Sequence, residues 1–359
     1  MRHQHTVSKF FLKGFADEQG RLVRVPLDGG DPRVVHASNV TVVRDYYSVD
    51  LGGGPLNDRF ERAFAEVEDR AAGALRAAVD GTRWPLDMHA KTRLACWIAL
   101  QHLRAQAIRD AQSDVRGEMV RLLVGVSGEE ALRTHIETAE GVPVGDARLA
   151  AEWADLTGAG GPTLEPDPIA HIRTILELLP GTTAMFADMQ WSLDVFDDAA
   201  LLTSDHPVVL LPAPEHPSWS GVGLATAAGY SLNLTRRAAL VIGASPGYPD
   251  TRWQAAPAGL ARSLNAAALS NATRTVLHHP DDAHLLDGVE LPTQRPRTVA
   301  AGAENLIREE GLFAGLTDSQ LDAQRGPQEL ERGTSLRDLG WPIPGRRFTW
   351  AEPGEENTR

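Results

Sequence analysis

The chain of 359 residues contains a single cysteine, Cys96. An intramolecular disulfide and a cysteine-rich zinc site are both excluded, so stability has to come from packing. Basic charge is also scarce. Lysine and arginine number 35 against 48 aspartates and glutamates, a formal net charge of -13 that repels a phosphate backbone unless the basic residues cluster locally. Extended duplex nucleic acid is therefore not an expected partner. Long hydrophobic runs are missing too, since no uninterrupted apolar stretch reaches the ~20 residues needed to cross a bilayer. The start, MRHQHTVSKFFLKGFADEQG, has only a short apolar patch broken by Lys9 and Lys13, unlike a secretory signal. The expectation is a cytoplasmic protein with no membrane partner. No internal repeat is evident. What is present is a hydrophobic fraction of 42%, enough for the core of one large domain or two ordinary ones, which excludes general disorder.

Periodicity divides the chain. Ser8 to Phe15 reads as a short helix with Phe11, Leu12 and Phe15 on one side, placing His5 just ahead of a helix N-terminus. GRLVRVPL, PRVVHA and RDYYSV read as brief antiparallel strands. Two long helical patterns follow, from about Asn57 to Val79 and from about Asp87 to past Arg116, and the short DGTRWP link between them predicts an antiparallel hairpin. Gly145 to Leu156 and Pro168 to Leu179 read as further helices. MQWSLDVFDD and ALLTSDHPVVLLP read as a strand pair turning at Asp197 and Asp198, YSLNLTRRAALVIGAS adds a strand or two, and GLARSLNAAALSNATRTVLHH adds a helix. The composite is an α+β fold, mainly helical, with the helical hairpin packed on a small antiparallel sheet. One integrated domain over residues 1–325 is expected, with 158–168 as the one internal boundary, followed by an irregular tail over 326–359 rich in proline, glycine and charge.

Two places put charge where an apolar residue belongs. At about 100° per residue, Phe60, Phe64, Val67, Ala71, Leu75 and Ala78 share a stripe, with Glu61 and Glu68 on its edge. On the next helix Ala90, Leu94, Trp97, Leu100, Ile108 and Ala111 align, and Gln101 and Arg104 fall inside their stripe. A buried guanidinium costs several kcal/mol unless an acid answers it, and Glu68, Glu61 and the more distant Asp205 are the candidates. Arg104 is then either an internal ion pair fixing helix register or an anion-binding group in a cleft. The second place is LLTSDHPVV. Alternation sends Ser204 and His206 to one face and Asp205 to the other, but Pro207 cannot donate to a ladder, so a local break at SDHP is expected. Such breaks aim side chains into sites, and they also serve as plain turns capped by Asp and Ser.

Several of these segments carry a resemblance. HTVSKFFLKGFA, FAEVEDRAA, WIALQHLRAQAIR, LLTSDHPVV and YSLNLTRRAALVIG occur in the same order across nearly the whole chain as motifs of a large bacterial family described only as a domain of unknown function. The first resembles that family's His-Tyr-Val-Pro-Gln-Phe-Tyr-Leu-Arg-x-Phe start. The resemblance implies no activity; it marks His5, Glu68, Gln101, Arg104, Ser204 and Asp205 as matching recurrent polar positions. Ser8 stands where the family usually has proline, and His206 where it commonly has asparagine, which ranks His5 above His206 as a base.

The leading functional expectation is a hydrolytic or group-transfer enzyme acting on a small anionic ligand, a phosphate ester or nucleotide-like compound. His5, Asp205, His206 and Glu68 form the catalytic set, with His5 as general acid or base, and Arg104, Gln101 and Ser204 bind substrate. A divalent metal held by His3, His5, Asp205 and His206 is a variant of that site. Two alternatives stand beside it. RTVLHH sets Arg274 and His279 in a spacing similar to HEPN ribonucleases, which need no metal. A non-catalytic ligand-binding or protein-interaction module would instead use a loop such as the one carrying Trp219.

Overall fold

The computed structural model describes residues 3–44, 46, 59–158, 162–164, 168–216, 221–246 and 248–291. Asn57, Trp219 and the expected tail beyond Arg325 lie outside them. The described residues gather into two compact units, one from Met1–Ile108 with Pro168–Arg295 and one from Arg109–Asp167.

In chain order the elements are β1 (His3–His5), α1 (Lys9–Leu12), β2 (Arg21–Pro26), β3 (Arg33–His36), β4 (Val42–Arg44), α2 (Arg59–Val79), α3 (Met88–Leu103), α4 (Gln106–Ser127), α5 (Glu129–Glu140) and α6 (Asp146–Thr157). After them come α7 (Pro168–Asp188), β5 (Met189–Val195), β6 (Thr203–Ser204), β7 (Val209–Leu211), β8 (Gly229–Thr235), β9 (Ala238–Pro246), β10 (Thr251–Trp253), α8 (Ala258–Asn271) and β11 (Thr275–His278). The second unit has its own small core of Leu132, Val144 and Leu149 around α5 and α6.

The fold is α+β, as the periodicity predicts. The first unit contains a five-stranded sheet ordered β10-β5-β9-β8-β7, a four-stranded sheet ordered β3-β2-β11-β6, and the β1-β4 pair. All pairings are antiparallel except β10 with β5. Residues of β5 and β8 are buried almost without alternation, so both faces of the central sheet are covered. In β2 the buried residues are Leu22 and Val25, three apart and therefore on opposite faces of the strand, and they belong to different hydrophobic clusters. α3 packs against α2 and α7. The apolar stripes point where periodicity put them: Phe64, Ala71, Leu75 and Ala78 on α2 and Leu94, Trp97 and Leu100 on α3 are all buried.

Three expectations are corrected. The helix from Asp87 to past Arg116 is two helices, because Arg104 ends α3 with φ -88° and ψ -2° and α4 starts at Gln106. MQWSLDVFDD and ALLTSDHPVVLLP do not pair with each other. β5 pairs with β9 and β10, while residues 201–212 split into β6, laddered to β11, and β7, laddered to β8. Pro207 explains the split: with no N–H to offer, it interrupts the run, and the two halves go to different sheets. His5, finally, does lie ahead of the Ser8 N-cap, but in β1 against Val42, and α1 has four residues before it tightens into a 3-10 turn at Lys13–Phe15, too short to present the anion-attracting dipole expected there. No described helix is long and apolar enough to cross a membrane.

Candidate functional site

Ser8 is the hub of the first polar cluster. It occupies the N-cap position of α1, yet its hydroxyl makes no cap hydrogen bond. The hydroxyl turns inward, where Oγ accepts from Trp97 Nε1 at 2.7 Å and from Arg104 Nη2 at 2.6 Å. Its single proton has two acceptors in reach, Glu68 Oε1 at 3.0 Å and Gln101 Oε1 at 3.1 Å. Gln101 Oε1 already accepts from the Ser8 backbone N–H at 3.1 Å and from Arg104 Nη2 at 2.9 Å, so the carboxylate is the better-suited acceptor. Gln101 is turned this way because its Nε2 donates to the Thr6 carbonyl at 2.8 Å.

Arg104 completes the cluster. Its Nη1 lies 2.7 Å from Glu68 Oε1, so of the three acids considered from sequence, Glu68 is the one that answers it. Both Nη atoms are engaged, whereas Nε is buried without a hydrogen-bond partner. Glu68 keeps a 22% exposed side chain and so gives the cluster its contact with water.

His5 stands beside this group. Its Nδ1 is 3.3 Å from the Val40 carbonyl oxygen, a contact that is a hydrogen bond only with the proton on Nδ1. The neutral ring then keeps its lone pair on Nε2. Burial lowers the His5 pKa below the ordinary histidine value, against the raising effects of the Val40 carbonyl and the Glu68 carboxylate; Arg104 and Lys9 add to the lowering. His5 is half-buried.

The SDHP break forms a second cluster. Asp205 Oδ1 accepts from the backbone N–H of Thr273 at 3.0 Å and of Thr275 at 3.4 Å, and its Oδ2 accepts from Thr273 Oγ1 at 2.6 Å. Ser204 Oγ accepts from the His206 N–H at 3.2 Å. Asn271 Nδ2 donates to the carbonyls of His206 and Val208 at 2.6 and 3.0 Å, tying down the backbone on either side of Pro207. His206 points away from these partners and stacks on His102, with ring centroids 5.4 Å apart and planes 25° apart. Both rings are buried, and burial lowers the pKa of His102 to about 3 and of His206 to about 4; the His206 ring also disfavours charge on His102, while Asp205 partly offsets the effect at His206. His102 Nδ1 and His206 Nε2 have no hydrogen-bond partner.

The fold thus gathers His5, Glu68, Gln101 and Arg104 in one cluster and Ser204, Asp205 and His206 in another. α3 serves both, with Gln101 and Arg104 in the first and His102 in the second. Among the described residues, no group of three or more histidines, cysteines, aspartates or glutamates is placed to hold a metal ion; the His3 side chain lies outside them. Arg274 and His279 flank β11, whose extended chain sets their α-carbons roughly 16 Å apart.

Sequence reasoning missed Ser8, Trp97 and His102 as members of these clusters. Trp97 carried a signal, because a buried indole N–H needs an acceptor. His102, flanked by buried Leu100 and Leu103, carried the same kind of signal. Ser8 carried little, since a serine before a helix ordinarily reads as a cap.

The chain is a member of the family described as Protein of unknown function (DUF4238), whose model matches residues 3–282. That span takes in every residue of both clusters. No curated protein and no solved structure matches the chain.

Proposed function

We propose that the chain is a hydrolytic or group-transfer enzyme whose reacting centre lies at His5 and Glu68. One observation carries the reading: a half-buried imidazole, with one nitrogen committed to a backbone carbonyl and the other left with its lone pair, lies in the field of a carboxylate that a buried arginine and a serine hold in place. Nε2 of His5 takes a proton from water or a substrate hydroxyl and returns it to the leaving group. Glu68 stabilises the imidazolium that forms between those steps. Arg104 and Ser8 are positioning residues in this reading: they fix the carboxylate and do not contact substrate through Nη. Asp205 and Ser204 likewise hold the SDHP backbone in place. A small anionic substrate, a phosphate ester or nucleotide-like compound, suits the positive charge that Arg104 and Lys9 place near His5.

The test is turnover on a panel of phosphate esters and nucleotides. His5→Ala should lower kcat by about 100- to 10,000-fold on any substrate that wild type processes. Undiminished turnover in that variant would sink the reading. A second reading, a purely structural clamp, is favoured by the 2% exposure of Arg104 and the full set of partners on Ser8 Oγ. It predicts that His5→Ala and Glu68→Gln alter stability alone.

A further inference from the structure

Opposite the His5 cluster, α2 and the start of α3 enclose a cleft of about 540 Å³. That volume lies within the range of small-molecule pockets, ~300 to 1,000 Å³. Its rim is basic, formed by Arg70, Arg83, His89 and Arg93, with Asp87 as the one carboxylate in the lining. Asp87 is already engaged, since Oδ1 accepts from the Ala90 N–H at 2.8 Å and caps α3. Arg83 and Arg93 are exposed and form no ion pair among the described residues. Among the described residues Arg70 pairs with Glu66 alone, 3.3 Å away, and both of those side chains are about two-thirds exposed (67% and 69%), the kind of pair that water and salt weaken most. The Ala90 N–H lowers the Asp87 pKa, and His89 and Arg83 help to lower it, but one carboxylate among three guanidinium groups leaves an excess of positive charge that, in a chain of net charge -13, suits an anion.

The floor of the cleft has a different character. Gly73, Ala74, Ala77, Leu86 and Ala90 line it, small or apolar residues that bring no charge. A ligand matching both parts has clustered negative charge at one end and a small, uncharged body at the other.

We propose that this cleft is a second ligand site, which binds a nucleoside di- or triphosphate with its phosphates among Arg70, Arg83 and Arg93 and its base on the alanine floor. Guanidinium groups suit phosphate because their forked donors match its oxygens two at a time. The site is separate from the reacting centre proposed above. On α2 its residues 70, 73, 74 and 77 lie about 140° to 240° around the helix from Glu68, and on α3 Ala90 is about 16 Å along the axis from Gln101. A ligand here therefore acts at a distance from His5, and the inference stands whether or not His5 is catalytic.

Calorimetric titration of the full chain at low salt tests it, with ADP and inorganic pyrophosphate as probes. ADP should bind with a Kd below about 1 mM, and Arg83→Ala/Arg93→Ala should weaken it by about tenfold or more. Both positions are exposed and form no ion pair among the described residues, so the double variant should fold as wild type does, which thermal unfolding checks. His5→Ala and Glu68→Gln should leave ADP affinity unchanged. ADP should also bind more tightly than pyrophosphate, because only ADP covers the floor. Three results would overturn the proposal: no heat with ADP at about 1 mM, full affinity retained in the double arginine variant, or equal affinity for the two probes. Loss of ADP binding in the His5 or Glu68 variants would move the ligand to the other cluster and overturn it as well.

Discussion

Arg104 Nη1 lies 2.7 Å from Glu68 Oε1, between side chains that are 2% and 22% exposed. The pair is lopsided: the cation is sealed in, and the carboxylate reaches water. Removing the carboxylate strands a buried charge, whereas removing the cation frees a carboxylate that water can solvate. Glu68→Ala should therefore cost about 3 kcal/mol of stability in urea unfolding, the lower end for a broken buried pair because Glu68 is only partly enclosed. A cost under about 1 kcal/mol would mean that water reaches Arg104 freely in the variant.

Ser8 accepts from Trp97 and Arg104 with one oxygen. Ser8→Ala leaves the indole N–H without an acceptor and should cost about 1 to 3 kcal/mol. The effect should be coupled: Trp97→Phe should cost less in the Ser8→Ala background than in wild type, by about 1 kcal/mol. Additive losses would show that the hydrogen bond contributes nothing of its own.

Protons should destabilise the fold through His102 and His206. Their folded pKa values, about 3 and about 4, lie below the ordinary 6.5, so above pH 6.5 both states are neutral at these sites and stability is complete. Below 6.5 the unfolded chain takes up protons that the folded chain refuses. Stability should fall by about 1.4 kcal/mol per pH unit for each ring until the folded values are reached. Denaturant unfolding between pH 7 and pH 5 measures the slope, and replacing both rings (His102→Gln with His206→Asn) should flatten it. An unchanged slope in that double variant would refute the assignment.

Asp205 gathers Thr273 and Thr275 through two backbone N–H groups and one hydroxyl. Asp205→Ala should cost about 2 to 3 kcal/mol, and Thr273→Val should cost less, because it removes one of the three donors. Equal costs for the two substitutions would place the whole effect on the hydroxyl contact.

Much of this was legible in the order of residues. The α2 stripe of Phe64, Ala71 and Leu75 follows from local periodicity, and so does strand structure within YSLNLTRRAALVIGAS, though not its division into the paired β8 and β9. Gln101 and Arg104 stood out because they interrupt an apolar helix face. Strand partners were not legible. Ser204 faces Val276 across a ladder, and nothing near Ser204 in the chain names that partner. The same holds for Ser8, whose side-chain partners Glu68 and Arg104 lie 60 and 96 residues away.

The order of amino acids determined by itself that a charged side chain would be buried on α3 and that the SDHP run would break. Both follow from rules of spacing and from proline's missing N–H, which act within a few residues. Only the tertiary structure decided that Glu68 would neutralise Arg104, that Ser8 would stand between them, and that Asp205 would turn to Thr273 while His206 turned to His102. Those choices depend on which distant surfaces fit together when water is excluded, and no local pattern encodes that fit.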